Sequence, residues 1–276
     1  MTARLVIVFV VDGLRPDAIT AADTPTLHRL RAEGVWYANS HAVFPTVTRV
    51  NAATLATGVA ARHARHRGQS DLHPGCGCGA AIDTSAYRRL LEVDRATGGN
   101  LVLTEDARGA AGDAGHAPRR GQLRLHGQRA PHQSAGPAGV GVLVNGYFDP
   151  GKRVRGRTRR ARRFSPGSGG SSRATGTERY DAAVTWTQRV LREYVLPEIA
   201  PAVVINWLTE PDHTQHMPGR GVAGGAGGAR HADRELAQVL DALDGLGLAA
   251  STDVFVVSDH GFTSNTGGVD VARELR

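Results

Sequence analysis

Leu5 to Val11 is an apolar run of seven residues, closed by Asp12-Gly13. Such a run has no polar face, so it suits a strand covered on both sides rather than one with a wet face. Ala202 to Leu208 and Val254 to Ser258 repeat the pattern. Helical segments separate them. Thr24 caps a helix with Pro25 in its first position and Gly34 as its stop. Thr177 to Leu196 carries Ala183, Trp186, Val190, Leu191 and Tyr194 on one helical face, and Pro197 ends it. Thr84 to Ala96 has helical spacing, and His231 to Leu246 reads as a further helix. Val35 to Phe44 and Val140 to Val144 read as strands. Buried strands alternating with helices predict an α/β fold on a central, mainly parallel sheet flanked by helices. We expect one domain over residues 1–276.

The three apolar runs lead into acids and histidines: Asp12, then Glu210-Pro211-Asp212-His213-Thr214-Gln215-His216, then Asp259-His260. A parallel sheet brings such ends to one edge, where ligands bind. Carboxylates and imidazoles collected without cysteine suit Zn²⁺ or a similar divalent ion. Asp212 and His216 are four apart, so one helical turn points both at the same ion. Gly261 supplies the turn that the adjacent pair Asp259 and His260 needs. His213 is expected to orient a ligand or to face solvent.

Phe44 to Gly58 reads as an irregular segment turning into a helix. Pro45 favours extended backbone before it. Thr48 stands where an N-cap would stand, and Asn51 to Ala56 runs on to Gly58 as the stop. A hydroxyl there faces free backbone N–H groups and the positive end of the helix dipole. That place suits a phosphate, or an alkoxide that attacks one. Thr48 is therefore either a simple cap or a nucleophile.

The formal charge is +7, which would suggest an anionic partner, but the bases are unevenly spread. Four tracts, 59–81, 106–139, 152–175 and 217–231, hold 19 of the 33 Lys and Arg and only 3 of the 26 acids. The remainder carries 14 bases against 23 acids, so the regular part of the chain is acidic. The tracts are rich in Arg, Gly, Ala, Pro and His. They read as disordered or irregular, for want of apolar surface to offset ordering entropy. Their composition is that of GC-rich DNA translated out of frame, so paired frame slips are expected to have produced them. Cys76 and Cys78 are the only cysteines, which excludes a disulfide framework. The first apolar run is too short to span a membrane and has no cleavage site behind it, so a cytoplasmic location is expected.

Together the motifs resemble the nucleotide pyrophosphatase/phosphodiesterase branch of the alkaline phosphatase superfamily. They are Val10-Val11-Asp12-Gly13-Leu14-Arg15-Pro16-Asp17, Thr24-Pro25-Thr26-Leu27, Phe44-Pro45-Thr46-Val47-Thr48, Thr57-Gly58, Glu210-Pro211-Asp212-His213-Thr214-Gln215-His216 and Val257-Ser258-Asp259-His260-Gly261. The resemblance implies an alkaline-phosphatase-like fold, incomplete at the C-terminus. It implies two divalent ions, expected to be Zn²⁺. Asp12, Asp259 and His260 would hold one, which also contacts Thr48, and Asp212 and His216 would hold the other. Thr48 would be the nucleophile, giving a covalent phosphothreonine. The substrate would be a small phosphate ester or nucleotide. A further histidine, which the family places well past the Asp-His-Gly turn, has no counterpart after His260. Impaired turnover is therefore expected.

Two alternatives accompany this reading. One is a phosphonate or phosphomonoester hydrolase of the same superfamily. The other is a non-catalytic nucleic-acid binder using the Arg-rich stretch Lys152 to Arg163. No aromatic interleaving or base-reading motif accompanies that stretch, so nucleic acid is not the expected partner. Nor is a membrane.

Overall fold

The computed structural model describes residues 4–60, 70–71, 82–83, 96, 123–126, 142–145, 177–217, 221–265 and 267–275. Among these, five strands form one sheet: β1 (Leu5–Val11), β4 (Leu123–His126), β5 (Val142–Asn145), β6 (Val203–Leu208) and β7 (Thr252–Val257). Their order is β5-β4-β6-β1-β7, and every pair is parallel. Two short strands, β2 (Ser70–Asp71) and β3 (Ile82–Asp83), pair antiparallel by themselves. The helices are α1 (Pro25–Glu33), α2 (Thr48–Thr57), α3 (Thr177–Val190), α4 (Asp212–Gln215), α5 (Gly221–Gly245) and α6 (Val271–Glu274). The central parallel sheet with flanking helices is the expected architecture. No described helix is long and apolar enough to cross a membrane.

Strand alternation decides which face each residue serves. Leu5, Ile7, Phe9 and Val11 of β1, with Val204 and Leu208 of β6, face the main core. Leu27 of α1, Val184 and Val190 of α3, and Leu236, Val239 and Leu243 of α5 fill it. Within this layer Asn206 and Gln188 exchange two hydrogen bonds of 2.7 and 2.9 Å, which satisfies both buried amides. The opposite face presents Val8 and Val10 of β1 and Trp207 of β6, packed with Ala52 of α2. Asp12 continues the Val8, Val10 phase and so emerges on the α2 side.

Five expectations need correction. Among the described residues, Val254 to Ser258 is not covered on both sides, because β7 is an edge strand of the sheet and Phe255 is 47% exposed. Val35 to Phe44 forms turns and irregular backbone, not a strand. Val35, Tyr37 and Phe44 stay 80%, 70% and 90% exposed, so among the described residues no layer covers the segment. The helix from Thr177 does not stop before Pro197. It continues as π-helical turns over Leu191–Ile199, closed by Ala200 N–H to Val195 O at 3.0 Å. Those wider turns accommodate the ring that an α-helical turn would reject. Leu123–His126 lies inside the second basic tract, yet it pairs between β5 and β6. The fourth tract is largely helical, because α5 begins at Gly221. The helix of Thr84 to Ala96 lies outside the described residues, save Ala96.

The glycines of α5 explain why that tract looks foreign. A Cβ at Gly225 would fall 2.6 Å from Gln215 Nε2. One at Gly228 would meet the Glu210 carboxylate and sit 3.0 Å from Pro211 Cα. Small residues there let α5 approach α4. Gly227 faces open space. Gly227→Ala should therefore stabilise the fold by roughly 0.5–1 kcal/mol through helix propensity. Gly228→Ala should destabilise it by roughly 1–3 kcal/mol through overpacking. Denaturant melts of the two variants check this, and equal midpoints would contradict the packing argument.

Candidate functional site

The carboxyl ends of β1, β6 and β7 lie level, since Val10 pairs with Trp207 on one side and with Val257 on the other. Backbone bonds stitch the loops beyond. Asp12 N–H donates to Leu208 O at 2.9 Å, and Asp212 N–H donates to Asp12 O at 3.0 Å. Gly13 follows with φ +72, and a Cβ on it would lie 2.9 Å from Asp212 Cβ. Only glycine satisfies both the left-handed backbone and the close approach of α4.

Asp12, Asp259 and His260 offer ligand atoms that all lie within 4.8 Å of one another. His260 Nε2 is 3.5 Å from Asp12 Oδ1 and 3.4 Å from Asp259 Oδ2. The imidazole Nδ1 lies 2.7 Å from Gly261 O, which can only accept. Nδ1 therefore carries the proton in the neutral ring, and Nε2 presents its lone pair to the cluster. Thr48 Oγ1 is 3.0 Å from Nε2 and donates to it.

Thr48 is not the cap of α2. Val47 holds that position with extended backbone, and Thr48 is the first helical residue, only 4% exposed. Asn51 ties down the preceding loop instead. Its Oδ1 accepts from Val43 N–H at 2.9 Å, and its Nδ2 donates to Val43 O and Val47 O at 3.3 Å. This leaves the Thr48 hydroxyl available to His260. The stop at Gly58 is as expected, with φ +72.

Asp212 and His216 pair one helical turn apart, with Asp212 Oδ1 3.3 Å from His216 Nε2. Asp212 is buried, whereas the His216 side chain is 66% exposed. The His216 ring meets Phe262 edge-on at 4.9 Å, which joins α4 to the loop after β7. The structure therefore gathers Asp12, Thr48, Asp259 and His260 in direct contact. Asp212 and His216 form an adjoining pair.

The electrostatics follow from burial. Burial is the largest cause that lifts the Asp12 carboxyl well above the usual range, and the charges of Asp259 and Asp212 add to it. Burial likewise raises Asp259 and Asp212. His213 is half-buried rather than solvent-facing, and burial pushes its imidazole down to about 4. Oδ1 of Asp12, Oδ1 of Asp212 and Oδ2 of Asp259 are buried without a hydrogen-bond donor. Crowded carboxylates with orphaned oxygens call for a cation.

Sequence reasoning passed over several supporting groups. Trp207 Nε1 donates to Asp12 Oδ2 at 2.9 Å, and Gly13 N–H donates to Asp259 Oδ1 at 3.2 Å. Glu210 is fully buried, and its Oε2 accepts from Thr214 N–H at 3.2 Å. Burial pushes its carboxyl up to about 7 from an ordinary value of 4.5. The unfolded chain releases this proton near 4.5, and the folded chain releases it only near 7. Stability therefore falls as pH rises through that window, by on the order of 3 kcal/mol. Glu210→Gln keeps the acceptor and removes the titration. In metal-free protein its melting temperature should gain on the wild type between about pH 5 and pH 8. His213 has the opposite trend, but it is common to both proteins and cancels in the difference. A gap that stays constant with pH would refute this account of Glu210.

The family model for type I phosphodiesterase / nucleotide pyrophosphatase matches residues 6–66 and 124–275, more than half of the chain. The chain belongs to that family. Its fold is also similar to that of solved structures. One is murine ectonucleotide pyrophosphatase / phosphodiesterase 5, an inactive threonine-to-alanine variant in complex with AMP, with a TM-score of 0.62 and 16% identity. Another is phosphonoacetate hydrolase from Sinorhizobium meliloti 1021 in complex with phosphonoformate, with a TM-score of 0.60 and 21% identity. The alignments cover 98% and 94% of this chain, but only 61% and 56% of those proteins. No curated protein matches the chain in sequence. The Arg-rich stretch Lys152 to Arg163 lies outside the described residues, and so do Cys76 and Cys78.

Proposed function

We propose that this phosphodiesterase-family chain hydrolyses phosphodiester or nucleotide pyrophosphate bonds, with Thr48 as nucleophile beside a divalent-metal cluster. One observation carries the reading: the Thr48 hydroxyl meets the same imidazole nitrogen that converges with Asp12 and Asp259. Asp12, Asp259, His260 and Thr48 would hold one ion, and Asp212 with His216 would hold a second. The orphaned carboxylate oxygens fit this role, and the nitrogen and oxygen donor set suits Zn²⁺. Such ions, when bound, supply positive charge to a phosphoryl group and acidify a nearby hydroxyl or water.

The chain's own residues then account for the rest. The Thr48 hydroxyl loses its proton to solvent and its Oγ bonds to phosphorus as the bond to the leaving oxygen breaks; water later hydrolyses the phosphothreonine, releasing the phosphate and restoring the hydroxyl. The first turn of α2 directs N–H groups and its dipole toward the non-bridging oxygens. The inactive, AMP-bound threonine variant of the murine protein supports both a threonine nucleophile and a nucleotide-like substrate. Among the described residues, Asp212 and His216 are the side chains placed to serve the second ion. The phosphonate-binding relative has a comparable TM-score, which makes a phosphonate the second substrate class to try. The test is release of nitrophenol from bis(p-nitrophenyl) phosphate and from p-nitrophenyl phosphate, with phosphonoacetate as a third arm. Diester turnover lost to a chelator and restored by Zn²⁺ is the expected result. Turnover of none of the three, with zinc present, would sink the proposal.

A further inference from the structure

We infer that Trp207 is a positioning residue: its indole N–H aims one oxygen of Asp12 at the metal, and its ring braces the helix that carries Thr48. The inference rests on the metal reading above.

Each member of the three-residue cluster is held from behind. Asp259 Oδ1 takes the Gly13 N–H at 3.2 Å, and His260 Nδ1 gives its proton to Gly261 O at 2.7 Å. Asp12 Oδ2 takes the Trp207 N–H at 2.9 Å. In each case the tethered atom leaves its counterpart facing the cluster: Asp259 Oδ2, His260 Nε2 and Asp12 Oδ1. The two carboxylate oxygens so presented have no hydrogen bond of their own. Two of the three tethers are main-chain groups, and Trp207 is the one supplied by a side chain.

The residue type suits the task. A Lys or Arg in this place would neutralise Asp12 and compete with a cation. An indole N–H is a neutral donor with no acceptor, so it fixes the carboxylate without spending its charge. The ring is only 4% exposed and packs with Val10 of β1 and Ala52 of α2, one turn beyond Thr48. One side chain thus connects the ligand, its strand and the nucleophile's helix.

Trp207→Phe keeps most of the ring and deletes the donor. Zinc affinity is to be measured by competition with a chromophoric chelator for the wild type, Trp207→Phe and Trp36→Phe. Trp36 is an exposed control, 43% accessible. Trp207→Phe should bind Zn²⁺ roughly 10- to 100-fold more weakly, as expected for loss of a group that orients a ligand. Trp36→Phe should match the wild type. In parallel, the indole N–H resonances of ¹⁵N-labelled wild type are followed as Zn²⁺ is added. Phe substitution at Trp36 and at Trp186 assigns those two signals, and so identifies that of Trp207 even where Trp207→Phe does not fold. The Trp207 signal should shift and the other two should hold. Equal zinc affinity in a folded Trp207→Phe, or a Trp207 signal indifferent to zinc, overturns the inference while leaving the metal reading intact. No zinc uptake by the wild type overturns the metal reading itself.

Discussion

Thr48→Ala should lower phosphodiester turnover by roughly three orders of magnitude or more, the scale seen when a nucleophile is deleted. The change removes a hydroxyl and a methyl group from a side chain that is 4% exposed, at the first position of α2. Alanine is a better helix former than threonine, and Asn51 rather than Thr48 anchors the preceding loop. Folding should therefore be unaffected. Zinc uptake should stay within a few-fold of wild type, because Asp12, Asp259 and His260 remain. That combination separates a nucleophile from a structural threonine. Thr48→Ser, which restores a hydroxyl, should recover part of the rate. Equal rates for wild type and Thr48→Ala would remove Thr48 from the mechanism.

The second large effect is on metal binding. Zinc at about a hundred times its Kd should stabilise the wild type by about 2.7 kcal/mol. For a chain of this size that is roughly 5–10 °C in melting temperature. Asp12→Asn should abolish the shift, since it removes a charge from the centre of the cluster. The metal-free variant should nevertheless be no less stable than metal-free wild type at about pH 8. The sign follows from the direction of the Asp12 shift. Burial, then Asp259 and Asp212, raise its carboxyl, so the folded chain prefers it protonated. The ionised form weighs against folding at high pH, and this is relieved as pH falls through the raised value. Asparagine is neutral throughout and still offers an oxygen to the Trp207 N–H. Scanning calorimetry with and without zinc reads both outcomes. A zinc shift that survives in Asp12→Asn would place the metal elsewhere.

Much of the fold was legible because apolar runs and punctuation residues act locally. β1 ends at Val11, and α1 runs from Pro25 to the residue before Gly34, as Asp12-Gly13 and Thr24-Pro25 foretold. Where composition stood in for contact, the reading failed. The first glycines of α5 fell in a tract read as disordered or irregular. For Gly225 and Gly228 the reason is the Gln215 and Glu210 side chains packed against them, which come from another part of the chain. Val35 to Phe44 read as a strand, but its large apolar side chains have nothing packed over them among the described residues.

The sequence by itself determined the candidate chemistry. An acid or an acid-histidine pair follows each of three apolar strands, and a threonine opens a helix, because side-chain type and strand phase are local properties. The tertiary structure alone decided how those groups are used. Parallel register sets the strand ends level, Asn51 anchors the loop that leads into Thr48, and Trp207, Gly13 and Gly261 turn one atom of each ligand toward a common point. Those contacts join residues up to 246 positions apart, and no local pattern encodes a hydrogen bond across that distance.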